Sequence, residues 1–158
     1  MMTRQRSQYL SRAIVESAVG LVLTEYGDRA NAMTVSFFSE AAHHPTTCWI
    51  SIAQTSYTHH LLRASRQFSL IVLHEKQKEI ATLCGSLSGR DHDKCAKLKL
   101  YRGLQGFLCL NDYIASVACR IRSEHPLQDH TLFIADMVTA DVETRNTVRR
   151  HLLTTDLS

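Results

Sequence analysis

Four short segments hold residue types that suit chemistry. Gln54-Thr55-Ser56-Tyr57-Thr58 closes a strand-like run and opens a helical one, in which Leu61, Leu62 and Ser65 follow. Hydroxyls beside the free N–H groups of a helix start suit an anion such as a phosphate, and the helix dipole adds to the attraction. The same residues also describe a plain capped helix with Thr58 as its N-cap. Asp129-His130-Thr131-Leu132-Phe133-Ile134 puts an imidazole directly after a carboxylate at the opening of a strand, where a histidine serves either structure or chemistry. Asn31-Ala32-Met33-Thr34-Val35-Ser36-Phe37-Phe38-Ser39, with Pro45 shortly after, is a hydroxyl-rich strand start. Arg90 and Lys94, in Ser88-Gly89-Arg90-Asp91-His92-Asp93-Lys94, offer cations, although that run equally suits a solvated loop leading into a helix.

Other chemistries find little support. The doublets His43-His44 and His59-His60 are poor chelates, because adjacent residues face opposite ways on a strand and diverge by about 100° on a helix. We therefore expect no metal site. No G-x-S-x-G, P-loop or H-E-x-x-H run occurs. The five cysteines, Cys48, Cys84, Cys95, Cys109 and Cys119, are odd in number and contain no C-x-x-C pair, which argues against a disulfide framework and for a reducing, cytoplasmic setting. Cys48 and Cys119 lie in apolar strand patterns and are expected to act as small core residues. A net charge of +3 is too small to argue for nucleic acid or a membrane surface. No apolar run reaches the roughly 18–20 residues of a membrane span, and the polar, basic stretch Met1 to Arg12 lacks the apolar segment of a signal peptide.

The elements that must position these residues are mostly strands. Tyr113, Ala115, Val117, Cys119 and Ile121 alternate with positions ending in Ser116, Arg120 and Arg122, the pattern of a half-buried strand. Cys48 to Ile52, Phe68 to Leu73, His130 to Val138 and, more weakly, Val19 to Thr24 read as strands. Tyr26-Gly27-Asp28-Arg29 is the turn into the Asn31 segment. Helices are expected after Thr58, over Glu75 to Cys84 with Gly85 as C-cap, from Asp91 through Leu98, and over Asp141 to Leu153. Pro45 and Pro126 fall between strand-like runs. With 158 residues, 44% hydrophobic and 21% charged, and without repeats or linkers, the chain reads as a single domain over 1–158. Pattern alone predicts a mainly β, antiparallel barrel with short inserted helices.

Taken together, the N-x-M-T-x-S-x-F run at Asn31 to Phe38, Pro45, the Phe68 strand and the later D-H-T at Asp129 to Thr131 resemble the flavin reductase-like family over residues 13 to 142. That resemblance implies a split, Greek-key β-barrel that binds FMN, with FAD or riboflavin as alternatives, and uses NADH or NADPH as cosubstrate. It implies that Asn31, Met33, Thr34, Val35, Ser36 and Phe37 run along the flavin ring. Gln54, Thr55, Ser56 and Thr58 would wrap the phosphate and ribityl chain, with Arg90 and Lys94 as counter-charge. His130 would stand at the mouth of the flavin site near the nicotinamide, oriented by Asp129. The sequence departs from the family at Gln128, where a glycine is usual, and that bulk narrows access for a dinucleotide. It departs also at Ala135 and at Cys95.

The implied activity is hydride transfer from NAD(P)H to flavin by a symmetric homodimer, with the reduced flavin serving an electron-accepting partner enzyme. Two other readings share the fold: a non-catalytic FMN electron carrier, and a flavin-free interaction or heme-handling module.

Overall fold

A computed structural model describes residues 16–142 and 149–157. The strands are β1 (Gly20–Tyr26), β2 (Arg29–Val35), β3 (Phe38–His43), β4 (Thr46–Ala53), β5 (Gln67–Val72), β6 (Leu100–Arg102), β7 (Leu108–Leu110), β8 (Ala115–Pro126) and β9 (His130–Val142). The helices are α1 (Tyr57–Ser65), between β4 and β5, and α2 (Lys78–Ser86), between β5 and β6. Seven strands form one antiparallel sheet in the order β2-β1-β5-β8-β9-β4-β3. Its outer strands, β2 and β3, are consecutive in the chain and joined only by Ser36 and Phe37, so the sheet curls toward itself as a split barrel. The mainly β architecture read from the sequence is the one observed.

Alternation sorts the side chains into two cores. Val22, Val35, Ile50, Ile52, Phe68, Leu70, Val117, Ile121 and Phe133 fill the barrel interior. Leu21, Leu23, Ala32, Ile71 and Leu73 face outward under α2, the β6–β7 hairpin and the C-terminal segment at Leu152. Cys48 and Cys119 are buried in the first core with their sulfurs 3.6 Å apart, and all five cysteines are free thiols. The turn at Gly27 takes a φ of +62°, which glycine tolerates and other residues rarely adopt.

Four helix expectations change. The N-cap of α1 is Ser56, whose hydroxyl accepts from the His59 N–H at 3.1 Å, while Thr58 lies inside the first turn. Gly85 does not end α2 but sits within it. A Cβ there would lie 3.3 Å from that of Thr34, so the small residue lets helix and strand pack closely. The run from Asp91 to Leu98 forms only a 3₁₀ turn at Cys95–Lys97 with Lys94 as its N-cap, and it is Asp93 rather than Asp91 that accepts from the turn, through the Ala96 N–H at 3.0 Å. Of the expected terminal helix, Asp141 and Val142 end β9 and residues 143–148 lie outside the described ones. His151 and Leu153 form bridges with His74 and Ala18 in place of a helical turn. Pro126 is the last residue of β8 rather than a loop residue. Among the described residues, no helix is long and apolar enough to cross a membrane.

Candidate functional site

The β4–α1 connection, the N-terminal half of α1 and the loop at 88–90 enclose an open cleft of about 930 Å³. Arg29, Arg63 and Arg90 line it, with His59, His60, Ser56, Tyr57 and Gln54. The first turn of α1 carries no acidic residue, so its free N–H groups and dipole meet no competing carboxylate. Glu124 partly offsets the positive charge: it pairs with Arg63 at 3.1 Å, and also with Arg66 at 2.6 Å. Among the described residues, Arg29 has only a loose 3.9 Å contact with Asp28. Arg90 donates to the Thr55 carbonyl at 3.0 Å, and its guanidinium stands 5.7 Å from the centre of the Tyr57 ring. Tyr57 stacks on His60 with ring planes 17° apart. Burial, and then the Arg63 charge, lower the pKa of His59 below 6.5. The neutral ring then shares a 2.8 Å hydrogen bond with the Thr131 hydroxyl.

Gly89 holds the cleft's wall together. A Cβ there would meet Asn31 Oδ1 at 2.3 Å and Tyr57 Cδ1 at 2.8 Å. Asn31 is buried and donates through Nδ2 to the Thr58 hydroxyl at 2.9 Å, which ties β2 to α1. The side chains of Asn31 and Thr58 thus brace the site from behind.

A second locus lies at the β8–β9 turn. His130 Nδ1 is 2.9 Å from Asp129 Oδ1, and this bond holds the Asp129 carboxyl below its ordinary pKa. A carboxylate at Nδ1 keeps the proton there and leaves Nε2 as an acceptor in the neutral ring. The His130 ring lies 5.8 Å from that of Phe37, tilted by 50°. Gln54 joins this locus to the cleft: its backbone N–H donates to Asp129 O at 2.9 Å, and its side chain donates to the carbonyls of Leu127 and His130, each at 3.0 Å.

The sequence-predicted residues therefore divide. Gln54, Ser56 and Arg90 line the cleft, with Thr55 holding Arg90 through its carbonyl. Ser36 and Phe37 form the β2–β3 link, Phe37 outward beside His130 while Phe38 packs on the core. Met33 and Val35 belong to the barrel interior. Thr34 is turned to the opposite face, where its hydroxyl donates to Ala81 O of α2 at 2.6 Å. Lys94 is buried, and its ammonium donates to Cys84 O at 3.1 Å and Leu87 O at 2.9 Å, closing the end of α2 rather than facing the cleft. Arg29 and Arg63 were not read from the sequence as site residues, and Tyr57 and Gly89 entered it only as members of the Gln54 to Thr58 and Ser88 to Lys94 runs. Ser56, His60 and Arg63 recur at helical spacing, and that signal was available. Among the described residues, no three His, Cys, Asp or Glu side chains converge as a metal site.

Comparison with known proteins bears on this arrangement. The family model described as "Flavin reductase like domain" matches residues 11–155. A curated relative, the NADH-dependent FMN reductase AsuE2 of Streptomyces nodosus subsp. asukaensis, is 24% identical over 123 residues. The match covers 77% of this chain and 66% of that protein, just under two thirds of its length. Among solved structures, the NADH:FAD oxidoreductase SgcE6 of Streptomyces globisporus C-1027 superposes with a TM-score of 0.84 at 21% identity, over 94% of this chain and 89% of its own. The FMN-binding protein of Thermus thermophilus with bound p-hydroxybenzaldehyde gives a TM-score of 0.81 at 25% identity, over 90% of this chain and 83% of its own.

Proposed function

The chain belongs to the flavin reductase-like family, and from that premise we propose that it binds FMN in the arginine-lined cleft and passes hydride to it from NADH. The observation that carries this reading is the donor set of the cleft. Three arginines, the Ser56-capped N-terminus of α1 and an absence of acid in its first turn suit a phosphate dianion. The close approach of Gly89 to Asn31 and Tyr57 sets the cleft's wall, where a side chain would force the loop outward.

A bound flavin supplies a ring that accepts the hydride from the nicotinamide. What the chain's residues do is hold and screen. Arg29, Arg63 and Arg90 neutralise the phosphate, and the α1 N–H groups donate to it. Ser36 and the backbone of the β2–β3 link meet the edge of the ring, with Phe37 as an apolar wall. Gln54 fixes the 127–130 turn, so that His130 presents Nε2 toward the nicotinamide side. Hydride transfer needs no general acid, so alignment is the main contribution asked of the protein.

NADPH as cosubstrate and FAD as flavin are the competing assignments within this reading. A homodimer and an electron-accepting partner enzyme complete it: Phe37 and Leu127 are 42% and 53% exposed beside the proposed ring position, where a second subunit would shield them. The test is a pair of titrations followed by turnover. FMN is expected to bind more tightly than riboflavin, and the FMN-loaded protein to oxidise NADH. Equal affinity for the two flavins, or no NADH oxidation with either, would count against the proposal.

A further inference from the structure

A second cavity, of about 440 Å³, lies away from the flavin cleft, between the β6–β7 hairpin and the outward face of β5, β8 and β9. Strand register sets its floor. Ser69, Ala118 and Thr139 are direct cross-strand partners and form one row, and Ser116 and Asp141 form the next. Phe68 and Leu70 point into the barrel, so Ser69 points out under the hairpin. The hairpin and the segment after it contribute three aromatic side chains, Tyr101, Phe107 and Tyr113, as walls.

Ser69 is the informative residue. It is only 2% exposed, yet its hydroxyl makes no hydrogen bond to any described residue. No fully enclosed polar side-chain atom in the described structure lacks a partner, so this hydroxyl opens onto the space it lines. The other space it borders is a crevice of about 10 Å³, too small for anything beyond a water. A buried hydroxyl facing a cavity of ligand size, without a partner, is a group prepared for a bound molecule.

The charges decide what kind of molecule. Arg102 is held at the rim by both oxygens of Glu25 and by the Gly106 carbonyl, so its charge is already met. Asp141 accepts the Tyr113 hydroxyl on one oxygen at 2.7 Å, and its other oxygen has no partner among the described residues. Burial, and then Asp141, raise the pKa of Tyr113, which therefore stays a neutral donor. With Arg102 neutralised by Glu25, Asp141 leaves one unbalanced negative charge beside two tyrosines and a phenylalanine, the combination that attracts an organic cation.

We propose that this cavity is a second ligand site and takes an arylalkylamine, its ring between the aromatic walls and its ammonium on Asp141. The inference does not rest on the flavin reading, because none of these residues lines the flavin cleft. It is tested by titrating the full chain, kept saturated with FMN, with three probes of like size: tyramine, 4-ethylphenol, which has no charge, and 4-hydroxyphenylacetate, whose charge is reversed. Tyramine is expected to bind at least tenfold more tightly than either of the others. Asp141→Asn is expected to remove that preference, and Ser69→Val to weaken tyramine severalfold without restoring binding of the acid. Failure of tyramine to bind at about 10 mM, equal affinity for all three probes, or tyramine binding seen without FMN and lost on FMN saturation would overturn the proposal. The probe comparison on the unsubstituted protein decides the matter even if a variant fails to fold.

Discussion

Adding one methyl group at Gly89 should open the flavin cleft. In Gly89→Ala the new Cβ would lie 2.3 Å from Asn31 Oδ1, 2.5 Å from its Cγ and 2.8 Å from Tyr57 Cδ1. Asn31 is 3% exposed and bonded to Thr58, itself 1% exposed, so it has nowhere to retreat without breaking a buried hydrogen bond. Overpacking of this kind costs about 1–3 kcal/mol, and a buried polar group left without its partner costs a similar amount. The loop can instead move outward, which limits the cost but carries Arg90 off Thr55 and Tyr57. We expect about 2 kcal/mol of destabilisation, read as a fall in Tm of about 4–8 °C for a chain of this size. FMN should bind about tenfold or more weakly, with riboflavin less affected because the displaced group serves the phosphate. Differential scanning fluorimetry and flavin fluorescence quenching measure both. Because the two partners touch, Asn31→Ala should relieve part of the clash, and the double variant should lose less stability than the two single losses added. Unchanged Tm and FMN affinity in Gly89→Ala would refute the close packing that this account assigns to the wall of the site.

The remaining expectations separate ligand groups from structural ones. Arg90→Ala should weaken FMN by about tenfold and riboflavin little, since it removes one charge-assisted contact from the phosphate, and parallel losses for both flavins would argue against that role. Lys94→Met should lower Tm, because the Cys84 and Leu87 carbonyls lose their buried donor, yet leave FMN affinity of the folded protein unchanged; a selective loss of FMN would return Lys94 to the site. His130→Ala should retain flavin and slow its anaerobic reduction by about tenfold to a hundredfold, as positioning rather than proton transfer is lost. Acid should release the C-terminal segment. Arg149, and secondarily His74, hold the Asp112 carboxyl below its ordinary 3.8, so its contribution is complete above that pH and disappears as pH falls through the lower, folded value. The Tm difference between the unsubstituted chain and Asp112→Asn should therefore shrink in acid; a constant difference would show that the carboxylate's charge is not what docks the segment.

Much of the barrel was legible because its central strands alternate or run apolar. The β8 pattern from Ala115 and the β9 run from His130 could be read directly from period two. The edge strand β3 could not: Phe38 to His43 is exposed along nearly its whole length, so no alternation marks it. The β6–β7 hairpin strands are three residues each, too short for a periodic signal. In the site, the helix start at Gln54 to Thr58 and the Asp129-His130 pair were visible as residue types. Direction was not. Thr34 and Ser36 read alike as hydroxyls on one strand, yet Thr34 is bonded to α2 while Ser36 lies beyond the strand's end. Lys94 reads as a surface cation, but its ammonium reaches inward because the end of α2 leaves carbonyls to satisfy. Arg29 and Arg63 lie 34 residues apart in the chain and meet only through the fold, so no local motif joins them to Arg90.

If this chain positions a flavin to take hydride from NADH, the bound flavin must be reduced rapidly by that cosubstrate. The most direct test mixes FMN-loaded protein with NADH anaerobically in a stopped-flow instrument and follows the flavin absorbance near 450 nm. The absorbance is expected to bleach in a single turnover, faster than that of free FMN under the same conditions and more slowly in His130→Ala. Bound FMN that NADH fails to bleach, or bleaches no faster than it does free flavin, would contradict that positioning.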